Sequence, residues 1–198
     1  TSRNSNLNIS QIPKNELELA QKRILDPYWR INNLYWIVDK SGNKIKFRLN
    51  WAQQRLWEDV WYCNIVLKAR QLGISTYICL LFLDRCLFNS NQQAGIIAHT
   101  LEDGQQLFRR IKFAYDNLPD QLRALIRADN DTAQMLKFSN GSSIRVGTSL
   151  RSSTMQYLHI SEFGKICAQY PDKAREIMTG SLNTLGVGQY CFIESTAE

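Results

Sequence analysis

The sequence predicts an α/β fold in which a largely parallel sheet carries helices on both faces. Three observations predict it. From residue 64 onward, short apolar segments of strand length alternate with longer segments of helical spacing. One strand, 64–67, runs directly into a glycine-containing loop, LKARQLGIST at 67–76, and an apolar helix follows. Another, 157–160, ends in a hydroxyl and a carboxylate, Ser161 and Glu162. In parallel sheets ligands bind at the carboxyl ends of strands, where both features fall.

Taken in order, residues 1–15 are rich in Ser, Asn and Gln and suit a flexible arm or peripheral segment. Residues 16–25 have helical spacing and stop at Asp26-Pro27, because the residue before proline is pushed out of the helical region. The segments 34–39 and 44–49 flank the polar turn Ser41-Gly42-Asn43 and read as a β-hairpin. Residues 51–61 have helical spacing; 74–88 form an apolar helix, 94–99 a buried strand, and 101–117 an amphipathic helix that Thr100 can cap. The segments 134–138 and 143–147, joined through Asn140-Gly141, form a second hairpin. After the strand at 157–160 come a helix at 172–178 and a last strand at 189–194. The division expected is a peripheral segment, 1–33, and one α/β domain, 34–198.

Composition narrows the class. The chain of 198 residues is 44% hydrophobic and 21% charged, enough to bury one substantial core. Its formal charge of +6 and pI near 9.1 are compatible with a polyanionic partner without requiring one. The five cysteines, Cys63, Cys79, Cys86, Cys167 and Cys191, include no CxxC pair, so neither a zinc site nor a disulfide framework is expected. The longest apolar run, 77–83, falls far short of the roughly 20 residues of a membrane span, and no apolar signal segment opens the chain. The expectation is a soluble intracellular protein.

The loop at 67–76 ends as a phosphate-binding loop ends. In the standard form, GxxxxGK[ST], backbone N–H groups wrap the phosphates, a lysine meets the β- and γ-phosphates, and a hydroxyl serves magnesium. Aligned on Gly73, the hydroxyl is Ser75, whereas Ile74 stands where the lysine belongs and Lys68 where the first glycine belongs. The long stem of Lys68 can fold across the loop, so the charge has changed place; a plain strand–turn–helix joint with an incidental lysine is the alternative. Some 90 residues on, YLHISE at 157–162 has the form of a Walker B strand. Ser161 takes the place of the aspartate that holds magnesium through water, and Glu162 that of the general base that activates the attacking water.

At these residues the sequence resembles the large terminase subunits of tailed bacteriophages, in their N-terminal ATPase domain. The resemblance rests on KARQLGIST (68–76), IIAHT (96–100), FSNGSSI (138–144), YLHISEFGK (157–165) and ESTA (194–197), in family order. It implies a P-loop NTPase of the RecA-like, ASCE type, a three-layer α/β/α domain with a mainly parallel central sheet, that binds ATP with Mg2+. It further implies Lys68 as the phosphate lysine, with Ala69, Arg70, Gln71, Leu72, Gly73, Ile74, Ser75 and Thr76 completing the loop. Ser75 and Ser161 would serve the metal, Ser161 through water. Arg70 would contact the γ-phosphate or tether the backbone. FRLNWAQQRL (47–56) looks like the adenine-recognition motif, with Gln53 preferred to Gln54. Ser195, Thr196 and Ala197 resemble the coupling motif that transmits the state of the γ-phosphate.

Motors of this class complete their sites with a neighbour's arginine; Arg145 and Arg151 precede the Walker B strand, and a surface role is the commoner fate of either. His99 and His159 read as packed histidines, and the tryptophans of the first third as packing. Terminases append a nuclease domain with acidic metal ligands, whereas this chain stops after the coupling motif; no DNA cleavage is expected of it. The implied partners are double-stranded DNA, the small terminase subunit, the portal protein and further copies in a ring, in the host cytoplasm rather than the virion. A nucleotide-binding assembly module with little hydrolysis and a helicase-like, nucleic-acid-dependent ATPase stay open beside the packaging motor.

Overall fold

The computed structural model describes residues 14–150 and 154–196. Five strands run parallel: β3 (Cys63–Lys68), β9 (Leu185–Thr196), β8 (Met155–Ile160), β4 (Gln93–Ile97) and β7 (Ser143–Gly147) lie side by side in that order. The sheet continues antiparallel through β6 (Met135–Phe138) to β5 (Ala128–Asp131), giving seven strands. The predicted second hairpin is thus the β6–β7 pair. The first is a separate two-stranded sheet of β1 (Trp36–Val38) and β2 (Lys44–Lys46), shorter than the expected segments.

Successive side chains of a strand point to opposite faces, and the adjacent strands β8 and β9 bury apolar side chains on both. Tyr157 and Phe192 join a core that includes α4 (Ile74–Phe88) and α5 (Leu101–Asp116), while Leu158, Ile160, Cys191 and Ile193 join a second core with Ile166 of α7 (Phe163–Gln169) and Ala174 of α8 (Pro171–Glu176). The three layers predicted from alternation are present. Helix α4, apolar all round, is buried along eleven of its fifteen residues, as a helix without a polar face must be.

Its one buried charge, Asp84, is answered by Arg30 of α2 (Pro27–Asn33). The guanidinium donates from Nε and Nη2 to the two carboxylate oxygens at 2.8 and 2.7 Å, the Tyr35 hydroxyl donates at 2.7 Å, and the Phe88 ring lies 3.9 Å from the Arg30 carbon. This cluster fastens α2 to the helix that follows the loop. The sequence expectation has no α2. Asp26-Pro27 does close α1 (Lys14–Leu25), but the same pair opens a second helix: Asp26 accepts from Tyr28 N, and Pro27 takes the first turn, where its missing N–H costs nothing.

Other differences are of the same kind. Helix α3 (Trp51–Glu58) stops short of residue 61, and α6 (Asp120–Leu125), β5 and α7 are too short for periodicity to reveal. Strand β9 extends beyond 189–194 at both ends.

Candidate active site

Strands β3, β9 and β8 end at one edge of the sheet, with β9 between the other two. The loop after β3 turns through two left-handed residues, Gln71 and Gly73, both at φ 69°. Gly73 is required there for a second reason: a Cβ would lie 2.7 Å from Gln53 Nε2. Gln53 closes a capping box with Asn50 at the start of α3; its Oε1 accepts from Asn50 N, and its Nε2 donates to the carbonyls of Leu72 (3.3 Å) and Gly73 (2.9 Å). Asn50 Nδ2 donates to Leu72 O as well. Buried to 3% exposure, the Gln53 amide is turned onto the loop backbone and does not line the neighbouring cleft, so the structure gives it loop-holding contacts where purine recognition was expected.

Lys68 closes β3 and points across the edge. Its Nζ stands 3.1 Å from Glu162 Oε1 and 3.8 Å from Glu194 Oε2. Glu162 sits at φ 53°, a left-handed backbone uncommon for glutamate, between β8 and α7. Its Oε2 accepts from Thr196 Oγ1 at 3.0 Å and from Thr196 N at 3.4 Å. Burial would raise its pKa, but hydrogen bonds from Lys68 and Thr196 and the lysine charge outweigh it, and the net direction is downward. Of the coupling residues, Ser195 Oγ accepts from Gly164 N in α7 and Thr196 touches Glu162, while Ala197 lies outside the described residues.

Sequence reasoning missed the most buried member. Glu194, fully enclosed at the end of β9, accepts from Ser75 Oγ and, at 3.0 Å, from Ser161 Oγ, with His159 Nε2 at 3.1 Å. Burial acts to raise its pKa, yet His159, Ser75 and Lys68 together hold it down at about 2. The available signal was a glutamate closing the otherwise apolar run CFI. The packing expected for His159 is present, edge-on to Phe82, though its ring also faces this carboxylate.

A cleft of about 740 Å³ opens beside the loop, within the usual range of ligand pockets. Its walls include residues 71–76 of the loop, and also Ile37 and Val38 of the hairpin with Arg109, Arg110 and Phe113 of α5, five residues that the sequence analysis did not pick out. Arg110 donates to Thr76 Oγ1 and Lys40 to Gln71 Oε1. A smaller cleft of about 250 Å³ shares Lys68 and Ser75 and adds Arg70, which is exposed, with Glu162 and Thr196. Ile74 turns its side chain into the core, and Ala69 is exposed. Arg145 lies within β7 and lines neither cleft; Arg151 is outside the described residues.

These groups fit a magnesium-bound nucleoside triphosphate: several cations, the free N–H groups of the α4 N-terminus, a first-turn hydroxyl, and a buried carboxylate oxygen, Glu194 Oε2, without a hydrogen bond. No protein-family profile matches the sequence, and no curated protein matches it. Solved structures do match. The large terminase of bacteriophage HK97 superposes with a TM-score of 0.67 at 14% identity, over 88% of this chain and 37% of that one. The chain has the RecA-like P-loop fold of large-terminase ATPase domains. The ATPase domain of the Thermus phage P74-26 large terminase matches with a TM-score of 0.55 at 13% identity, over 77% of this chain and 66% of that domain. The chain therefore spans about a third of the HK97 large terminase. On this fold, β9 lies between the loop strand β3 and the strand β8 that ends at Ser161 and Glu162.

Proposed function

We propose that the chain is the ATP-hydrolysing motor domain of a DNA-packaging terminase. The observation that carries the proposal is the meeting of Lys68 and Glu162, 94 residues apart, at 3.1 Å beside a loop that ends in Ser75 at a helix N-terminus. The terminase fold supports the packaging assignment.

The triphosphate lies along the loop, its oxygens facing the N–H groups of 73–76, with Lys68 and Arg70 supplying positive charge. Lys68 is within reach of both Glu162 and the loop, so phosphate oxygens compete with the carboxylate for one ammonium. When the ammonium turns to phosphate, Glu162 loses the partner that depresses its basicity and becomes the better acceptor for a proton from water. Ser75 would hold magnesium, with Ser161 reaching it only through water, and the metal would supply neutralising charge at the phosphates. In-line attack gains mainly from positioning and charge neutralisation. Thr196, bonded to Glu162, and Ser195, bonded to the start of α7, give strand β9 a direct mechanical connection to the reacting end, which suits a coupling role. Double-stranded DNA, the small subunit, the portal protein and further copies in a ring are the partners this role requires.

Phosphate release from the purified chain tests the proposal, measured with and without DNA. Turnover that disappears in Glu162→Gln, with ATP still bound, supports it; nucleotide binding without turnover under all conditions leaves an assembly module instead.

A further inference from the structure

Strand β8 ends without the aspartate that a metal-dependent triphosphate site draws upon, and Ser161 brings no charge to replace it. A charge is nevertheless present at that level of the sheet. In the parallel pairing of β8 with β9, Ile160 is opposite Ile193, so Ser161 and Glu194 are neighbours in register, on the same face. Strands lie about 4.8 Å apart, and the extra methylene of glutamate over aspartate covers part of that offset. The carboxylate arrives in contact with both hydroxyls concerned, accepting from Ser75 Oγ and from Ser161 Oγ.

We infer that Glu194 is the acidic group of the metal site, having taken over from the neighbouring strand the function that Ser161 cannot perform. The inference rests on the ATPase function proposed above and identifies how that site retains its divalent cation. Two features distinguish Glu194 from a packing residue. Its side chain is completely buried, and Oε2 has no hydrogen-bond donor; Lys68 Nζ, at 3.8 Å, pairs with it as an ion beyond hydrogen-bond distance. An ionised carboxylate held in this way is costly, and a buried structural glutamate satisfies both oxygens. That oxygen is the one 3.8 Å from Lys68 Nζ, and Lys68 and Ser75 line both clefts beside the loop. Ser161 becomes a positioning residue: its hydroxyl donates to Oε1 and fixes the carboxylate, as partners of metal-holding acids do. His159 Nε2 stands 3.1 Å from the same oxygen, on the apolar side.

The test is the gain in affinity for a fluorescent, non-hydrolysable ATP analogue on adding Mg2+ or Mn2+, with Mn2+ uptake followed independently by EPR. Neither readout depends on turnover. In Glu194→Gln the metal-dependent gain should fall about tenfold or more and Mn2+ uptake should weaken in parallel, the size expected when a metal site loses a supporting carboxylate. Ser161→Ala should lose under threefold, and Ser161→Asp in the Glu194→Gln background should restore much of the loss by placing the carboxylate back on β8. An undiminished gain in Glu194→Gln overturns the inference. So does a tenfold loss in Ser161→Ala, which decides the matter even where Glu194→Gln does not fold cooperatively. Failure of the wild-type chain to bind the analogue with or without metal overturns the ATPase function itself, and the inference with it. That outcome is distinct from metal-independent binding, which removes the inference alone.

Discussion

Lys68 Nζ lies 3.1 Å from Glu162 Oε1, so the cation proposed for the phosphates and the base proposed for the water are each other's partners. The pairing makes the two residues separable by experiment. Glu162→Gln removes the base and also releases Lys68, so ATP affinity should hold or rise while turnover falls about 10²- to 10⁴-fold. Lys68→Ala should weaken ATP binding and turnover together. Titration of a fluorescent ATP analogue alongside phosphate release reads both; equal loss of affinity in the two variants would place Lys68 away from the phosphates.

How much of this was legible in the sequence varies with the distance over which the information acts. Strands β4 and β8 and helix α4 announce themselves because their apolar patterns are local, and the three-layer fold follows from their alternation. The residues around the loop were legible through motif order, since neither Lys68 nor Ser161 fits the standard pattern alone. Glu194 was not, because its importance depends on Ser75, 119 residues earlier, and on which strand β9 lies beside. Gln53 was identified as a site residue, but its contacts are with the loop backbone, which only the fold brings within reach. The cleft wall of Ile37, Arg109 and Phe113 carries no motif at all.

The Arg30–Asp84 pair, 4% and 0% exposed, ties α2 to α4. Removing one partner strands a charge in the core, so Asp84→Ala should destabilise by about 3–5 kcal/mol. An apolar pair of similar volume, Arg30→Met with Asp84→Leu, should recover most of that loss. Urea unfolding followed by tryptophan fluorescence compares them.

Acid should expose the contribution of Glu194. Its folded pKa, about 2, lies below the ordinary glutamate value of 4.5, so the unfolded chain binds more protons across this window and stability rises with pH through it. The contribution is complete above about pH 4.5 and is lost as pH falls towards 2; a displacement of this size corresponds to about 3 kcal/mol. The melting temperature of the wild-type chain should therefore fall more steeply than that of Glu194→Gln between pH 5 and about pH 2.5. Parallel curves would show that the carboxylate is not held in its charged form by the fold.

Gly73 tests whether loop geometry and nucleotide binding are one property. At φ 69° any other L-residue is strained by about 1–2 kcal/mol, and an added methyl would meet Gln53 Nε2 at 2.7 Å. The amide that must yield is the group holding Leu72 and Gly73 carbonyls, so the strain passes directly to the loop. Gly73→Ala should lower the melting temperature by a few degrees, since 1 kcal/mol corresponds to about 2–4 °C at this chain length. ATP affinity should fall further than that loss of stability explains, because the N–H groups of the first turn of α4 are displaced from the phosphate path. Gln53→Ala removes the obstructing amide but also the loop's tether; combined with Gly73→Ala it should relieve the melting defect in part and leave affinity low. Restored affinity in the double variant would mean that the clash alone, rather than the left-handed turn, governs phosphate binding.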